Sequence, residues 1–175
     1  MVTKSDNKAS CYDFFIEVRC RTVQLIDPLT PEDACAQSMA DASPAKWHLA
    51  HTSWFYETFI LENFEPNFLP YNQVFRSLFN SYYNGIGEQY PRNKRGLLTK
   101  PSLDEIKAYA QDITSRILRL ESLGNIEVER LIELGCYHEQ QHQELIVMDV
   151  KHLLSCNPLR PTYMKFREKI NLQKD

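Results

Sequence analysis

The segment from about Ile126 to Ser155 restricts the fold of this chain more than any other feature. In this segment a set made mostly of leucines and histidines recurs at the three- and four-residue spacing that lines one face of an α-helix. The residues predicted to face inward are Leu131, Leu134, Gly135, His138, His142, Leu145, Asp149 and His152. A long helix with one inward face requires other elements to cover that face. The pattern therefore favours a fold in which helices pack on helices.

The rest of the chain supports an all-α fold. It has five glycines, few runs of alternating β-branched residues, and mostly helical periodicity. The other predicted helices are about 8–26, a short one opened by Thr30-Pro31, one from Ser43-Pro44 to about Asn63, a short one over 73–84, and one from a capping box at Ser102 and Glu105 to about Leu123. We predict a four-helix bundle with extra short helices and a long basic loop from Gly85 to Pro101.

Length and composition indicate one ordinary globular domain. The chain has 175 residues, of which 43% are hydrophobic, enough for a single core. We expect the bundle to span residues 8–160 and a charged tail to occupy 161–175. The net charge of -3 provides no general attraction to nucleic acid or to anionic membranes.

The sequence also restricts location and redox chemistry. It has no apolar run long enough to span a membrane and no secretory signal at its polar start, so we expect a cytoplasmic protein. The five cysteines include no Cys-x-x-Cys pair. This spacing argues against both a disulfide framework and a thiolate zinc site.

Two histidines on the last predicted helix can bind one metal ion. His138 and His142 are four residues apart, which places their Cβ atoms ~5–6 Å from each other on one face. A third ligand must come from another helix. His51 shares a face with Trp54, whereas His48 lies about 60° away around the same helix. We therefore predict His51, His138 and His142 as ligands, with His48 beside the site or at the surface.

Three imidazoles leave coordination positions open, which is typical of a catalytic metal site. They suit Zn, Fe, Ni or Cu, and the spacing does not choose among these metals. The run His138-Glu139-x-x-His142 also matches the zincin pattern, with Glu139 as general base. The metzincin continuation is absent, because Leu145 and Met148 stand where glycine and histidine are required. We expect Glu139 and Glu144 to be solvated or capping charges.

Three further residues are candidate substrate contacts. Arg92 and Arg95 form a basic pair on the long loop, and paired guanidinium groups can hold the carboxylates of a small acidic substrate. Gln141 lies beside the histidine face and could donate a hydrogen bond to a bound ligand.

Four motifs in order resemble one family of enzymes. They are SPAKWHLAHTSWFYE at 43–57, LFNSYY at 78–83, YPRNKRGLL at 90–98 and HEQQHQE at 138–144. Together they resemble the N-terminal half of ergothioneine-biosynthesis proteins of the EgtB type, which is a DinB-like metal-binding bundle. The resemblance extends from about Arg21 to Tyr163.

The resemblance implies an activity and a set of site residues. EgtB-type enzymes are oxygen-dependent sulfoxide synthases with non-haem Fe(II), and they join a cysteine-type thiol to trimethylated histidine, a histidine betaine. By position, His51, His138 and His142 would bind the iron. Gln141 would contact the histidine-derived substrate, and Arg92 and Arg95 would hold the carboxylates of the thiol.

The same resemblance implies that this chain is incomplete alone. Members of the family continue into a domain similar to the formylglycine-generating enzyme, which supplies a catalytic tyrosine, whereas only 17 residues follow Pro158 here. The chain is then a stand-alone bundle, a fragment, or a split-gene product whose partner is a separate formylglycine-generating-enzyme-like chain. Two other functions stay open. They are a metal-dependent DinB-like thiol transferase and a non-catalytic metal-binding module.

Overall fold

The computed structural model describes residues 10–81, 85 and 87–164. Within these residues are seven α-helices and no strand: α1 (Cys11–Ile26), α2 (Pro31–Cys35), α3 (Ala45–Tyr56), α4 (Glu62–Phe64), α5 (Phe75–Leu78), α6 (Leu103–Arg119) and α7 (Ile126–Ser155). The all-α prediction is confirmed. None of the described helices is long and apolar enough to cross a membrane.

The four long helices form the predicted bundle. Helix α1 packs mainly against α7, while α3 packs against both α6 and α7. Large apolar side chains from all four fill the space between them, including Phe15, Trp54, Ile113 and Ile132. Every residue of α3 is buried, so this helix forms the centre of the fold.

The helices begin where local hydrogen bonds satisfy their first N–H groups. At α6 the Ser102 hydroxyl accepts from the Glu105 backbone at 3.2 Å, and the Glu105 carboxylate accepts from the Ser102 backbone at 2.7 Å. This is the predicted capping box. Thr30 caps α2 in the same way, with Pro31 at the first helical position. After α6 a 3-10 turn leads to Gly124, whose φ of 55° is the left-handed conformation that favours glycine.

The third predicted helix contains a turn that the sequence did not reveal. A π-helical turn over Glu57–Leu61 joins α3 to α4. Such a turn widens the backbone spiral by one residue. In this turn the Glu57 carboxylate accepts from the Tyr71 backbone at 2.7 Å and from the Tyr109 hydroxyl. The turn therefore directs an acidic side chain into the bundle.

The long loop and the preceding helix also differ from expectation. The helix predicted over 73–84 is only Phe75–Leu78, with residues 82–84 outside the described part. The basic loop contains a 3-10 helix, Arg92–Leu97. Its Gly96 N–H donates to the Gln37 side chain at 2.7 Å, and a Cβ at Gly96 would stand 2.7 Å from Gln37 Cβ. This close approach holds the loop against the bundle.

Helix α7 approaches α3 closely one turn before its histidine pair. A Cβ at Gly135 would lie 2.3 Å from a ring carbon of Tyr56, a distance that no side chain can occupy. Glycine therefore permits the two helices to meet here. The close packing brings the next turn of α7, with His138 and His142, against the α3 segment that carries His51.

Candidate metal centre

Helices α3 and α7 bring three histidines together. His51, His138 and His142 each present a ring nitrogen, and these three atoms lie within 4.8 Å of one another. The ring centroids form a nearly equilateral triangle with sides of 4.7, 4.7 and 5.0 Å. The structure thus brings together the three residues that the sequence predicted as ligands. The spacing is suitable for a metal ion.

An ion at the centre of three nitrogens that are 4.8 Å apart would lie ~2.8 Å from each of them, compared with ~2.1 Å for a bond to a histidine nitrogen. Each ring nitrogen would therefore have to move inward by at most ~0.7 Å to bind one ion. The donor set therefore fits a single first-row divalent ion, with positions left open for other ligands.

His51 has the most completely fixed ring of the three. Its Nδ1 donates to the Phe79 carbonyl at 2.6 Å, and a carbonyl can only accept, so the lone pair lies on Nε2. The ring is stacked between Trp47 and Trp54, with centroid distances of 4.8 and 5.4 Å. These contacts fix both the tautomer and the plane of the imidazole, as is usual for metal-bound histidines.

His142 is supported by another histidine. Its Nδ1 lies 2.9 Å from Nδ1 of His48, and Nε2 of His48 lies 3.1 Å from a carboxylate oxygen of Asp149. The sequence placed His48 beside the site or at the surface. The structure places it beside the site, with a relative exposure of 2%.

His138 is the least enclosed of the three rings, and it packs against Phe55 at a centroid distance of 4.7 Å. Its Nδ1 is nevertheless buried and has no hydrogen-bond partner among the described residues. A buried polar atom without a partner is unfavourable and requires an explanation. A metal ion bound to the His138 imidazole would be an explanation that also agrees with the two neighbouring histidine nitrogens.

The surroundings keep the imidazoles neutral, which is the form that binds a metal. Burial lowers the pKa of His138 to about 4. It also lowers the pKa of His142 far below its usual value, and neighbouring histidines lower that pKa further. The pKa of His51 is well below the usual range, mainly because of burial. Protons therefore compete weakly for these nitrogens near neutral pH.

The expectation that Glu139 is a solvated or capping charge is wrong. Glu139 is fully buried and accepts from Arg19 of α1 at 3.0 Å, on the face of α7 that contacts α1. The prediction assumed one buried face on this helix, whereas α7 has two, one against α3 and one against α1. The burial of Glu139 was missed for that reason. Glu139 is thus held by Arg19 and is unsuited to the general-base role that the zincin pattern requires. Glu144 is exposed, as expected.

The three predicted substrate contacts lie in different environments. Arg95 is buried, with its guanidinium 3.3 Å from the Trp47 ring centroid and hydrogen bonds to the hydroxyls of Ser43 and Ser81. Arg92 and Gln141 are exposed. Burial lowers the pKa of His48, the Asp149 carboxylate raises it, and the positive charges of Arg95 and Arg92 lower it further.

Two residues of the site had no role in the sequence-based prediction. The Phe79 carbonyl, which orients His51, is a backbone group and leaves no signal in the sequence. Asp149 was on the predicted inward face of α7, and its spacing of seven residues from His142 places it two turns further along that face. That seven-residue spacing was the sequence signal from which Asp149 could have been predicted to lie near the site.

Comparison with known proteins shows the family. The chain matches the family model described as DinB superfamily over residues 15–146, which includes all three histidines. None of the curated proteins matches it significantly.

Proposed function

The chain belongs to the DinB superfamily, and we propose that it is a metal-dependent member in which His51, His138 and His142 hold one divalent ion. The observation that carries this proposal is the convergence of three histidine nitrogens from two helices. A chance cluster of neutral histidines would be expected to satisfy its nitrogens with ordinary hydrogen bonds. Here one nitrogen has no such partner, and the convergent geometry fits an ion.

The more specific proposal is that the ion is non-haem Fe(II) and that the chain is the metal-binding bundle of an EgtB-type sulfoxide synthase. The order of the four motifs supports it. The described parts of all four also meet around one site: α3 provides His51, Phe79 orients it, Arg95 contacts Trp47, and α7 provides the other two histidines. The substrates would be a cysteine-type thiol and a histidine betaine.

Each group of the chain then has a defined task. Fe(II), when bound, would supply the activation of molecular oxygen. The three neutral imidazoles hold the ion without adding negative charge. Trp47, Trp54 and Phe55 line the site with apolar surface that keeps water away from the ligand rings. Arg92 would bind the carboxylate of the thiol substrate, and Gln141 would contact the histidine betaine.

The identity of the metal tests the specific proposal. Protein purified without oxygen is expected to contain about one iron per chain by elemental analysis. Aerobic incubation with trimethylhistidine and cysteine or γ-glutamylcysteine is expected to yield a sulfoxide, detected by mass spectrometry. We propose that efficient turnover requires a formylglycine-generating-enzyme-like partner chain, so the assay is run with and without that chain. His51→Ala protein is the negative control.

Zinc in place of iron would contradict the sulfoxide synthase proposal. Zn²⁺ has no redox chemistry, and it would favour the thiol transferase, in which the metal activates a low-molecular-weight thiol. Protein that retains no divalent metal, and binds none on titration, would contradict the metal site itself.

Arg92→Ala is expected to weaken binding of a carboxylate-bearing thiol roughly 10- to 100-fold, since a hydrogen bond to a charged group contributes ~1.5–3 kcal/mol. Calorimetric titration of Co(II)-loaded protein with cysteine measures this effect. Lys94→Ala is the matched control, because Lys94 is an exposed cation two residues away. Arg95→Ala is a poor test, because Arg95 is buried and its loss would also remove packing on Trp47. Equal affinities in the Arg92 variant and wild type would leave Arg92 as a surface charge.

A further inference from the structure

A buried chain of three side chains leads away from the metal site. The carboxylate of Asp149 contacts Nε2 of His48 at 3.1 Å, and Nδ1 of His48 contacts Nδ1 of His142 at 2.9 Å. Asp149, His48 and His142 have relative exposures of 5%, 2% and 9%. Water therefore has little access to these contacts. We call Asp149, His48 and His142 the relay.

The direction of each hydrogen bond follows from the end of the relay. An ionised carboxylate can only accept, so Nε2 of His48 carries the proton that is donated to Asp149. A neutral imidazole has one protonated nitrogen, so Nδ1 of His48 must accept. Nδ1 of His142 therefore donates, and the lone pair of His142 lies on Nε2.

Asp149 is held in place independently of the histidines. The same carboxylate oxygen accepts from the backbone N–H of Ser43 at 2.9 Å. Ser43 lies just before α3, and its hydroxyl accepts from Arg95 at 2.9 Å. The acceptor at the end of the relay is thus attached to the start of the helix that carries His48 and His51. The Ser43 hydrogen bond to Asp149 involves none of the three predicted ligands.

We propose that Asp149 and His48 are positioning residues for the metal ligand His142. They keep the proton of His142 on Nδ1, so that Nε2 is directed to the ion with its lone pair. This role is distinct from that of a ligand, since neither residue belongs to the convergent group of three. The inference rests on the proposed metal site, although the tautomer of His142 can be measured without metal.

Removing the acceptor at the end of the relay should release the His48 proton. In Asp149→Leu no oxygen is left to accept from Nε2 of His48, so the His48 proton can move to Nδ1. His48 can then donate to His142, whose own proton moves to Nε2 and blocks the ligand lone pair. We expect Co(II) and Zn(II) to bind about 10- to 100-fold more weakly, the range found when an outer partner of a metal-bound histidine is lost.

Two substitutions at His48 separate positioning from packing. In His48→Gln the amide oxygen can accept from His142 while the amide N–H donates to Asp149, so both hydrogen bonds are replaced. In His48→Leu similar volume remains but no acceptor is present. We expect the Gln variant to bind metal within about 3-fold of wild type and the Leu variant to lose the ~10–100-fold typical of such partners. His152→Asn is the control, because His152 lies on α7 but contacts Ser38 instead.

Two measurements complete the test. Titration with Co(II) and Zn(II) gives the affinities, with thermal unfolding of every variant as a check on folding. Nitrogen-15 NMR of the metal-free protein gives the tautomer of His142, which is expected to be Nδ1–H in wild type and in His48→Gln. A wild-type Nε2–H tautomer would overturn the relay, as would unchanged metal affinity in folded Asp149→Leu and His48→Leu. Failure of wild type to bind metal would contradict the proposed function, while the tautomer would still decide the proton arrangement.

Discussion

Alanine at His51, His138 or His142 is expected to remove tight binding of divalent metal. Each substitution leaves two protein ligands where three converge within 4.8 Å, and two histidines alone do not hold a catalytic ion. The loss should exceed the ~10–100-fold effect of removing an outer-shell partner. His48→Ala should therefore fall between the ligand variants and the control His152→Ala.

Calorimetric titration with Co(II) or anaerobic Fe(II) measures these affinities, and the visible absorption of bound Co(II) reports the number of ligands. The expected order of loss is the three ligands first, then His48, then no change at His152. Equal losses at His48 and His51 would mean that the ligand on α3 has been assigned to the wrong histidine. A full-strength site in any of the three ligand variants would remove that residue from the metal centre.

Arg19→Ala is expected to cause the largest loss of stability. The guanidinium of this α1 residue donates to Thr52 and Ser53 on α3, to the Ala110 carbonyl and Thr114 on α6, and to Glu139 on α7. These contacts use all five N–H groups and connect all four long helices. Removing the guanidinium leaves the Glu139 carboxylate buried without its charge partner, which typically costs ~3–5 kcal/mol.

Urea and thermal unfolding test this expectation. For a chain of this size the loss corresponds to a decrease of roughly 6–20 °C in Tm. Arg21→Ala is the matched control, because Arg21 is exposed on the same helix and should change stability by less than about 0.5 kcal/mol. A change at Arg19 as small as that at Arg21 would show that water or another cation replaces the guanidinium.

The double variant Arg19→Met with Glu139→Leu provides a further check. Apolar residues of similar volume can replace a buried ion pair at little cost, because no charge is left unpaired. The hydroxyls of Thr52, Ser53 and Thr114 already donate to backbone carbonyls within their own helices and would stay satisfied. The double variant should therefore be more stable than Arg19→Ala.

The sequence predicted those features that depend on one helix at a time. Capping residues and prolines determined where α2 and α6 begin, and the 100° step per residue selected His51 over His48 as the predicted ligand, which the structure brings near His138 and His142. The i, i+4 spacing of His138 and His142 placed them on one face of α7. These rules apply to a single helix axis, so they remain valid in the folded bundle.

Features that depend on several helices were missed. Glu139 lies off the histidine stripe but faces α1, because α7 has neighbours on two sides. Arg95 lies on a basic loop yet is covered once the loop folds onto Trp47. Neither of these environments follows from the local spacing of residues along the chain.

The stacking of His51 between two indole rings has an optical consequence. Trp47 and Trp54 are the only tryptophans among the 175 residues, and both lie in ring contact with this one imidazole. All tryptophan fluorescence of the protein therefore originates beside the candidate metal centre. A paramagnetic ion bound to His51 would quench the fluorescence of both tryptophans, whereas diamagnetic zinc would leave most of the fluorescence unquenched. Tryptophan fluorescence of the unlabelled protein can therefore report whether the site is occupied and whether the bound ion is paramagnetic.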